Sequence, residues 1–467
     1  MNENGLLSQK KLSSREKLFY GFGDLSTSLV WTVTTTWVMF FFTDIFGISA
    51  MAAGTLMLIS RIYDAAIDPI IGAMIDRTNT KYGRARPYLL WLAVPYGLAG
   101  CLLFFTPNLS ATGKLIYAYV FYFALVTIYS LINIPYNTMI SLMTKDQKER
   151  SQLSRNRLLF AMAAYIFVSF IPAIANILGN GETTLQIQRT GFFRTAIILG
   201  ALAACGWLLT FFNTREHVYE TLKTKQEQQS ILKQLRILSK NRPWIITTLM
   251  TLFTNMRIGI LTSMVAYYSK YYLMKPEGFS TVVLVPTILG VMLGLVLGPM
   301  LINRVSVRRA ILIASSVSIL ASVLIWVAGS NTVFLIIVMA VFGISQGVPS
   351  VATYPMYGDA VEYGEWKTGT RIEGMIYASY TFMQQVASGV AGFLIGSALT
   401  LLGYSSELAV QSDITIRGIS FIFVIAPIIL SLLVILVMSF YPLDKEKYNK
   451  IVHDLATRSS ESAAGGM

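Results

Sequence analysis

Two aspartates lie four residues apart inside an apolar stretch of the chain, Asp64 and Asp68 in the segment LISRIYDAAIDP. Residues at this spacing share one face of a helix, with Cβ atoms about 5–6 Å apart. Two adjacent carboxylates in a low dielectric repel each other unless a proton or a cation lies between them. The pair therefore predicts a site for a titrating proton or one monovalent cation. The alternative is that Arg61 neutralises one aspartate within a packed bundle.

A second polar set lies within the apolar stretch 127–138. Its members recur at helical spacing and are Tyr129, Ser130, Asn133 and Asn137. Such a stripe suits hydrogen bonding to a hydroxylated ligand. The alternative is hydrogen bonding between helices, which contributes only about 0.6 kcal/mol per bond on average.

Other polar residues lie in neighbouring apolar stretches. Thr27 and Ser28 belong to a stretch too rich in hydroxyls to face lipid on all sides, so we predict that it lines a cavity. Thr381 and Gln385 lie in YTFMQQ, where two adjacent amides cannot share a face and at least one should point into a cavity. Arg157 begins another stretch and is either an interfacial side chain or one that points inward.

The whole composition requires a membrane to hold these stretches. The 467 residues are 54% hydrophobic and 13% charged, with mean hydropathy +0.58, whereas soluble domains are about 25% charged. A spanning helix needs about 20 mostly apolar residues. The sequence predicts an all-α membrane protein with about twelve spans, near 20–44, 52–75, 88–106, 114–142, 157–178, 192–213, 244–272, 279–302, 310–329, 333–356, 372–402 and 414–441.

The distribution of Lys and Arg predicts the orientation. Basic residues collect in the loops after the second, fourth and eighth spans, as cytoplasmic loops do. Both termini are therefore predicted to be cytoplasmic. The predicted organisation is an N-terminal tail 1–18, a six-helix bundle 19–213, a cytoplasmic middle loop 214–243, a second six-helix bundle 244–441 and a C-terminal tail 442–467.

Charged residues at the cytoplasmic ends are candidates for gating. In the first half these are Asp76, Arg77 and Arg84. In the second half the segment 358–371 is predicted as a cytoplasmic loop that carries Asp359, Glu362, Glu365 and Arg371. The alternatives are plain topology signals and a solvated loop, respectively.

Other classes of protein are excluded by composition. Cys101 and Cys205 lie in apolar runs and the two histidines in polar ones, which leaves no disulfide framework, zinc site or catalytic triad. We predict no enzyme activity, no cofactor and no obligatory protein partner. The net charge of +13 is interpreted as membrane topology rather than as nucleic-acid binding. Residues 1–18 lack the apolar core of a cleaved signal.

Taken together, several motifs resemble the glycoside–pentoside–hexuronide:cation symporters, the branch of the major facilitator superfamily that includes melibiose permeases and glucuronide carriers. The resemblance covers nearly the whole chain. The motifs that carry it are YGFGD at 20–24, RIYDAAIDP at 61–69, KYGRARP at 81–87, NIPY at 133–136, and EYGEWK at 362–367 with Arg371 and Glu373.

The resemblance implies two six-helix bundles that move a sugar with Na⁺, Li⁺ or H⁺ by alternating access. It implies that Asp64, Asp68 and Ser130 bind the cation. Tyr129 and Arg157 match positions near the sugar. The sugar-binding set predicted from the stripes and the resemblance together is Thr27, Ser28, Tyr129, Asn133, Asn137, Arg157, Thr381 and Gln385.

Four departures from the family pattern bear on the substrate. Ser28 and Asn133 stand where melibiose permeases have acidic residues, and Gln385 stands at a family lysine. Gln384 precedes it where glucuronide-like members often have arginine. Because both positive charges are absent, an anionic uronide is disfavoured as substrate. The predicted function is cation-coupled uptake of a neutral glycoside or small oligosaccharide across a bacterial-type cytoplasmic membrane. The alternatives are a hexuronide symporter, a lysolipid or amphiphile carrier, and a non-transporting sugar sensor.

Overall fold

The computed structural model describes residues 12–144, 146–179, 185–217, 231–276, 278–329, 331–370, 372–405, 408 and 410–464. In these residues the regular structure is helical, without strands beyond one isolated bridge between Thr80 and Gly83. The all-α prediction is confirmed. The helices are α1 (Ser14–Phe40), α2 (Ala50–Arg77), α3 (Arg86–Leu103), α4 (Ala111–Met143), α5 (Gln147–Ser169), α6 (Ile171–Leu178), α7 (Leu185–Asn213), α8 (Ile231–Leu238), α9 (Arg242–Tyr267), α10 (Phe279–Val305), α11 (Val307–Ala328), α12 (Thr332–Thr368), α13 (Glu373–Leu401), α14 (Asp413–Ser439) and α15 (Lys445–Ala464).

Spanning helices account for most of the chain. Among the described residues, ten helices are long and apolar enough to cross a membrane, and the bent pair α5–α6 makes an eleventh if it is one span. The predicted third span, 88–106, corresponds to α3. That helix lies outside this set because Arg86, Pro87 and Pro95 occupy part of its 18 residues.

The predicted cytoplasmic loop 358–371 is wrong for most of its length, because α12 continues to Thr368. Asp359, Glu362 and Glu365 therefore lie on the last turns of a helix. The helix persists because apolar side chains between the charges, including Val361, are buried in the bundle. It stops at Gly369, whose φ of 68° permits the left-handed cap and whose N–H donates to the Glu365 carbonyl.

Two spanning helices end in wider turns. The end of α1 continues into a π-helical segment, Phe41–Phe46, and α9 continues into another, Tyr268–Tyr272. Gly47, with a φ of 82°, directly follows the first segment, and Met274, with a φ of 53°, follows the second after Leu273. Such turns are rare and often lie near functional sites.

Contacts divide the chain into two compact units. The first contains α1–α7 together with the segments Pro276–Thr281 and Ser405–Ala409, and the second contains the other residues from Lys225 onward. In the first unit, α3 and α7 pack backbone to backbone through Gly97 and Gly200, a contact between small residues that is common in membrane helices.

This close packing predicts a stability effect. A Cβ at Gly200 would lie 2.5 Å from the Gly97 carbonyl oxygen, and because that atom is backbone the helices would have to separate. Overpacking of this kind costs about 1–3 kcal/mol. We expect Gly200→Ala to lower the Tm of the purified protein in detergent. The matched control is Gly72→Ala, since no atom lies within 4 Å of a Cβ at Gly72; equal Tm values for the two variants would contradict the packing argument.

Candidate functional site

Asp64 is completely buried within the first unit, with 0% of its surface exposed. It lies on α2, and α4 brings the Ser130 hydroxyl to its Oδ1, to which it donates a hydrogen bond of 2.6 Å. The other oxygen, Oδ2, lies 3.8 Å from Nη1 of Arg61 on the same helix. Within the described residues Oδ2 accepts no hydrogen bond. The structure thus brings the predicted residues Asp64 and Ser130 together.

Asp68 follows one helical turn later on α2, which is continuous through this region despite Pro69. Residues four apart on a continuous helix are neighbours on one face, so the predicted juxtaposition with Asp64 holds. Asp68 is half-buried, whereas Asp64 is wholly enclosed. The second carboxylate is therefore the more accessible of the two.

Arg61 contacts more than the carboxylate. The side chain is only 3% exposed, its Nη2 donates to the Tyr122 hydroxyl over 3.4 Å, and its guanidinium carbon lies 4.6 Å from the ring centroid of Trp31. Arg61 also lies beside Asp64, as in the alternative in which it neutralises one aspartate. At 3.8 Å the contact is longer than a hydrogen bond.

The polar stripe on α4 meets an aromatic ring. Tyr129 stacks on Trp31, with ring centroids 3.7 Å apart and planes 9° apart, and its hydroxyl accepts a hydrogen bond of 3.2 Å from Asn133 Nδ2. Tyr129 and Asn133, both predicted to bind the sugar, therefore form one unit with a tryptophan from α1.

Arg157 on α5 is paired within the first unit. Its Nε and Nη2 donate to the carboxylate of Asp24 on α1, and Nη2 also donates to Asn137 Oδ1 over 2.7 Å. The guanidinium lies 4.7 Å from the ring centroid of Tyr136. Arg157 therefore lies against α1 and α4, and Asn137 is one of its partners.

The hydroxyls of two other predicted sugar ligands bond to their own helices. Thr27 Oγ1 donates to the Gly23 carbonyl, and Thr381 Oγ1 donates to the Ala378 carbonyl. Ser28 is buried at 9% exposure. In the second unit the Gln385 Oε1 atom is buried and accepts no hydrogen bond from the described residues. Their predicted contact with sugar remains a prediction.

The candidate gating residues lie in different parts of the structure. Arg77 ends α2 and is exposed, while the side chain of Asp76 and the whole of Arg371 lie outside the described residues. The Arg84 N–H donates to Glu216 Oε2 over 3.0 Å, and the next two backbone N–H groups donate to Oε1. Glu216, in the part of the middle loop next to α7, therefore clamps the basic loop. The sequence pattern did not reveal this clamp.

The family model for MFS/sugar transport proteins matches residues 19–445. The chain belongs to this family. The predicted resemblance to the sugar:cation symporters is confirmed, and with it the major facilitator fold and the class of function, sugar symport by a multi-pass membrane transporter.

Two curated relatives support the assignment, and one more distant solved structure shares the fold. The chain is 32% identical to the uncharacterized symporter YnaJ of Bacillus subtilis (strain 168) over 96% of each chain. It is 31% identical to the isoprimeverose transporter of Lactiplantibacillus pentosus over 96% of this chain and 92% of that one. A bacterial homologue of the human lysosomal transporter Spinster shares the fold, with TM-score 0.67 at 13% identity over 94% of this chain and 97% of that one.

One buried charge of this sugar-transport protein was not found by sequence reasoning. Arg257 on α9 is 0% exposed, and its guanidinium donates to Gln346 Oε1 at 3.0 and 2.7 Å and to Ser431 Oγ at 2.8 Å. No acidic side chain among the described residues pairs with it. Arg257 could have been found by its position in an apolar span, because intramembrane charges are rare.

Neutral oxygens thus stabilise the Arg257 charge, and removing them has a predictable cost. In Gln346→Leu the guanidinium loses its main acceptor and becomes an uncompensated buried charge, which costs about 3 kcal/mol. Adding Arg257→Met removes that charge, so the double variant should regain stability. Thermal unfolding in detergent checks this order. A double variant no more stable than Gln346→Leu would disprove the compensation.

Proposed function

We propose that the protein couples the uptake of a neutral glycoside or small oligosaccharide to Na⁺ or H⁺ by alternating access. The observation that carries the proposal is the buried Asp64 carboxylate, one oxygen of which accepts no hydrogen bond from the described residues. A charge in this position costs several kcal/mol and is retained chiefly for function. A proton or a monovalent cation would compensate that charge.

The cation is proposed to bind among oxygen atoms of the first unit. Asp64 contributes the buried carboxylate, Ser130 the adjacent hydroxyl and Asp68 the carboxylate one turn away. A bound cation offsets the repulsion between the carboxylates. If the cation raises the affinity for sugar, linkage requires that the sugar raise the affinity for the cation by the same factor.

The sugar is proposed to bind along the α4 stripe, at Tyr129, Asn133 and Asn137, with Arg157, Thr27, Ser28, Thr381 and Gln385 as further ligands. The pairing of Arg157 with Asp24 supports a neutral substrate. Since the guanidinium already has a carboxylate partner, this pair leaves no net positive charge to attract a uronate. Isoprimeverose, named for one relative, is a suitable neutral probe.

The proposed setting is a cytoplasmic membrane with both termini inside, as the basic loops favour. The bundles 19–213 and 244–441 would change facing about the site. The cytoplasmic gate would use Asp76, Arg77, Arg84, Asp359, Glu362, Glu365 and Arg371, with Glu216 holding the loop of Arg84.

The test is uptake into proteoliposomes of labelled isoprimeverose, methyl β-glucoside and methyl β-glucuronide, under an imposed Na⁺ gradient and separately under a proton gradient. Accumulation of a neutral sugar driven by one ion and abolished by the matching ionophore is the expected result. Equilibration without gradient dependence would make the protein a facilitator. Accumulation of the glucuronide alone would favour a hexuronide symporter, and no uptake of any probe would favour an amphiphile carrier or a sensor.

A further inference from the structure

Trp31 lies between the candidate cation and sugar residues but has no assigned role. Its indole stacks on Tyr129 at a centroid distance of 3.7 Å, and the Arg61 guanidinium carbon lies 4.6 Å from its ring centroid. The side chain is half-buried on α1. Both contacts are to helices other than its own, which places the ring at a junction of α1, α2 and α4.

A continuous chain of contacts runs through this ring. It begins at Asp64 Oδ2, which is 3.8 Å from Arg61 Nη1, and passes from the guanidinium to the indole. From the indole it passes to Tyr129, whose hydroxyl accepts from Asn133. Every member lies in the first unit, so the chain needs no contact with the second.

Arg61 interacts with two competing partners. The Asp64 carboxylate attracts it by charge, and the face of Trp31 attracts it through the ring quadrupole, an interaction of about 0.5–2 kcal/mol depending on desolvation. A cation bound at Asp64 neutralises the carboxylate and repels the guanidinium. The balance then shifts towards the indole.

We propose that Trp31 is a positioning residue that transmits occupancy of the Asp64 site to the sugar-binding side chains. With a cation bound, Arg61 packs more fully on the indole, and the indole fixes Tyr129 and its hydrogen bond with Asn133 in the arrangement that binds sugar. This inference rests on the proposed function. It predicts that Trp31 controls the cation's effect on sugar affinity more than sugar affinity itself.

The test measures the Kd of isoprimeverose for the full-length transporter in nanodiscs, with NaCl and with choline chloride, or at two pH values if protons drive uptake. Couplings between sites are usually about 5–150-fold. We expect the wild-type Kd to fall by a factor in this range when the cation is present. In Trp31→Leu the ratio should approach one, while the Kd without cation changes by less than about threefold. Trp31→Phe, which keeps a flat ring, should retain an intermediate ratio.

Trp326→Leu is the matched control, because Trp326 is 56% exposed on α11 in the other unit and should keep the wild-type ratio. A wild-type ratio of the two Kd values in Trp31→Leu would overturn the proposed role of Trp31 but would not contradict the proposed symport. Loss of sugar binding in both salts would also overturn it, since Trp31 would then be a direct ligand. A wild-type protein without a cation effect would instead show that the proposed coupling itself has failed.

Discussion

Asp64→Asn should abolish accumulation of sugar against a gradient while leaving the fold intact. Asparagine has nearly the same shape, and its Oδ1 can still accept the hydrogen bond that Ser130 donates to Asp64. The variant lacks the negative charge that a cation or proton would meet. A charge pair at 4 Å is worth about 4 kcal/mol at an effective dielectric constant of 20, which corresponds to about a thousandfold weaker cation binding.

The measurement is the ratio of internal to external sugar in proteoliposomes at steady state. For Asp64→Asn this ratio should be close to one, with exchange of sugar across the membrane at equal concentrations retained. Asp413→Asn is the matched control, because Asp413 is an exposed residue in the first turn of α14. Wild-type accumulation by Asp64→Asn would rule out a role for this carboxylate in coupling. Asp68→Asn, tested in parallel, shows whether the second carboxylate is also required.

Asp24→Asn should change the charge selectivity of the transporter. Arg157 and Asp24 are 21% and 15% exposed, and their pairing neutralises the guanidinium. Without the carboxylate, Arg157 keeps its bond to Asn137 but carries an uncompensated positive charge. We expect a partly solvated charge of this kind to add about 1.4 kcal/mol to the binding of an anionic sugar, which is about tenfold in affinity.

Competition measures this change directly, as the concentration of methyl β-glucuronide that halves uptake of the neutral sugar. In Asp24→Asn that concentration should fall about tenfold relative to wild type. The double variant Asp24→Asn/Arg157→Gln should lose the gain, since the positive charge is gone. An unchanged or higher concentration in Asp24→Asn would contradict the view that this ion pair favours neutral substrates.

The parts that sequence reasoning predicted depend on local spacing. Asp64 and Asp68 share a face of α2 because the i, i+4 relation holds on any continuous helix. The contact between Trp31 and Tyr129 joins positions 98 residues apart, and no periodicity in either stretch encodes it. Ser130 was placed beside Asp64 only through the family resemblance, for the same reason.

The segment 358–371 and the contacts of Glu216 differ from the sequence predictions for another physical reason. The segment 358–371 is rich in charge and glycine, which favours a loop in water, but burial of residues such as Val361 keeps it helical as far as Gly369. Glu216 was overlooked because its partners are backbone N–H groups, which have no side-chain signature. Tertiary packing, rather than local propensity, decides such positions.

The π-helical segments that end α1 and α9 close with hydrogen bonds to the fifth preceding residue, from Gly47 N–H to the Phe42 carbonyl and from Leu273 N–H to the Tyr268 carbonyl. Such a turn becomes an ordinary α-helical turn when the hydrogen bond to the fifth preceding residue is replaced by one to the fourth. The residues beyond it would then turn by about 100° and advance about 1.5 Å, because those are the steps of an α-helix. The first spanning helix of each unit thus ends in a wide turn at the same end, and tightening that turn would rotate the connection that follows it without altering the helix before it.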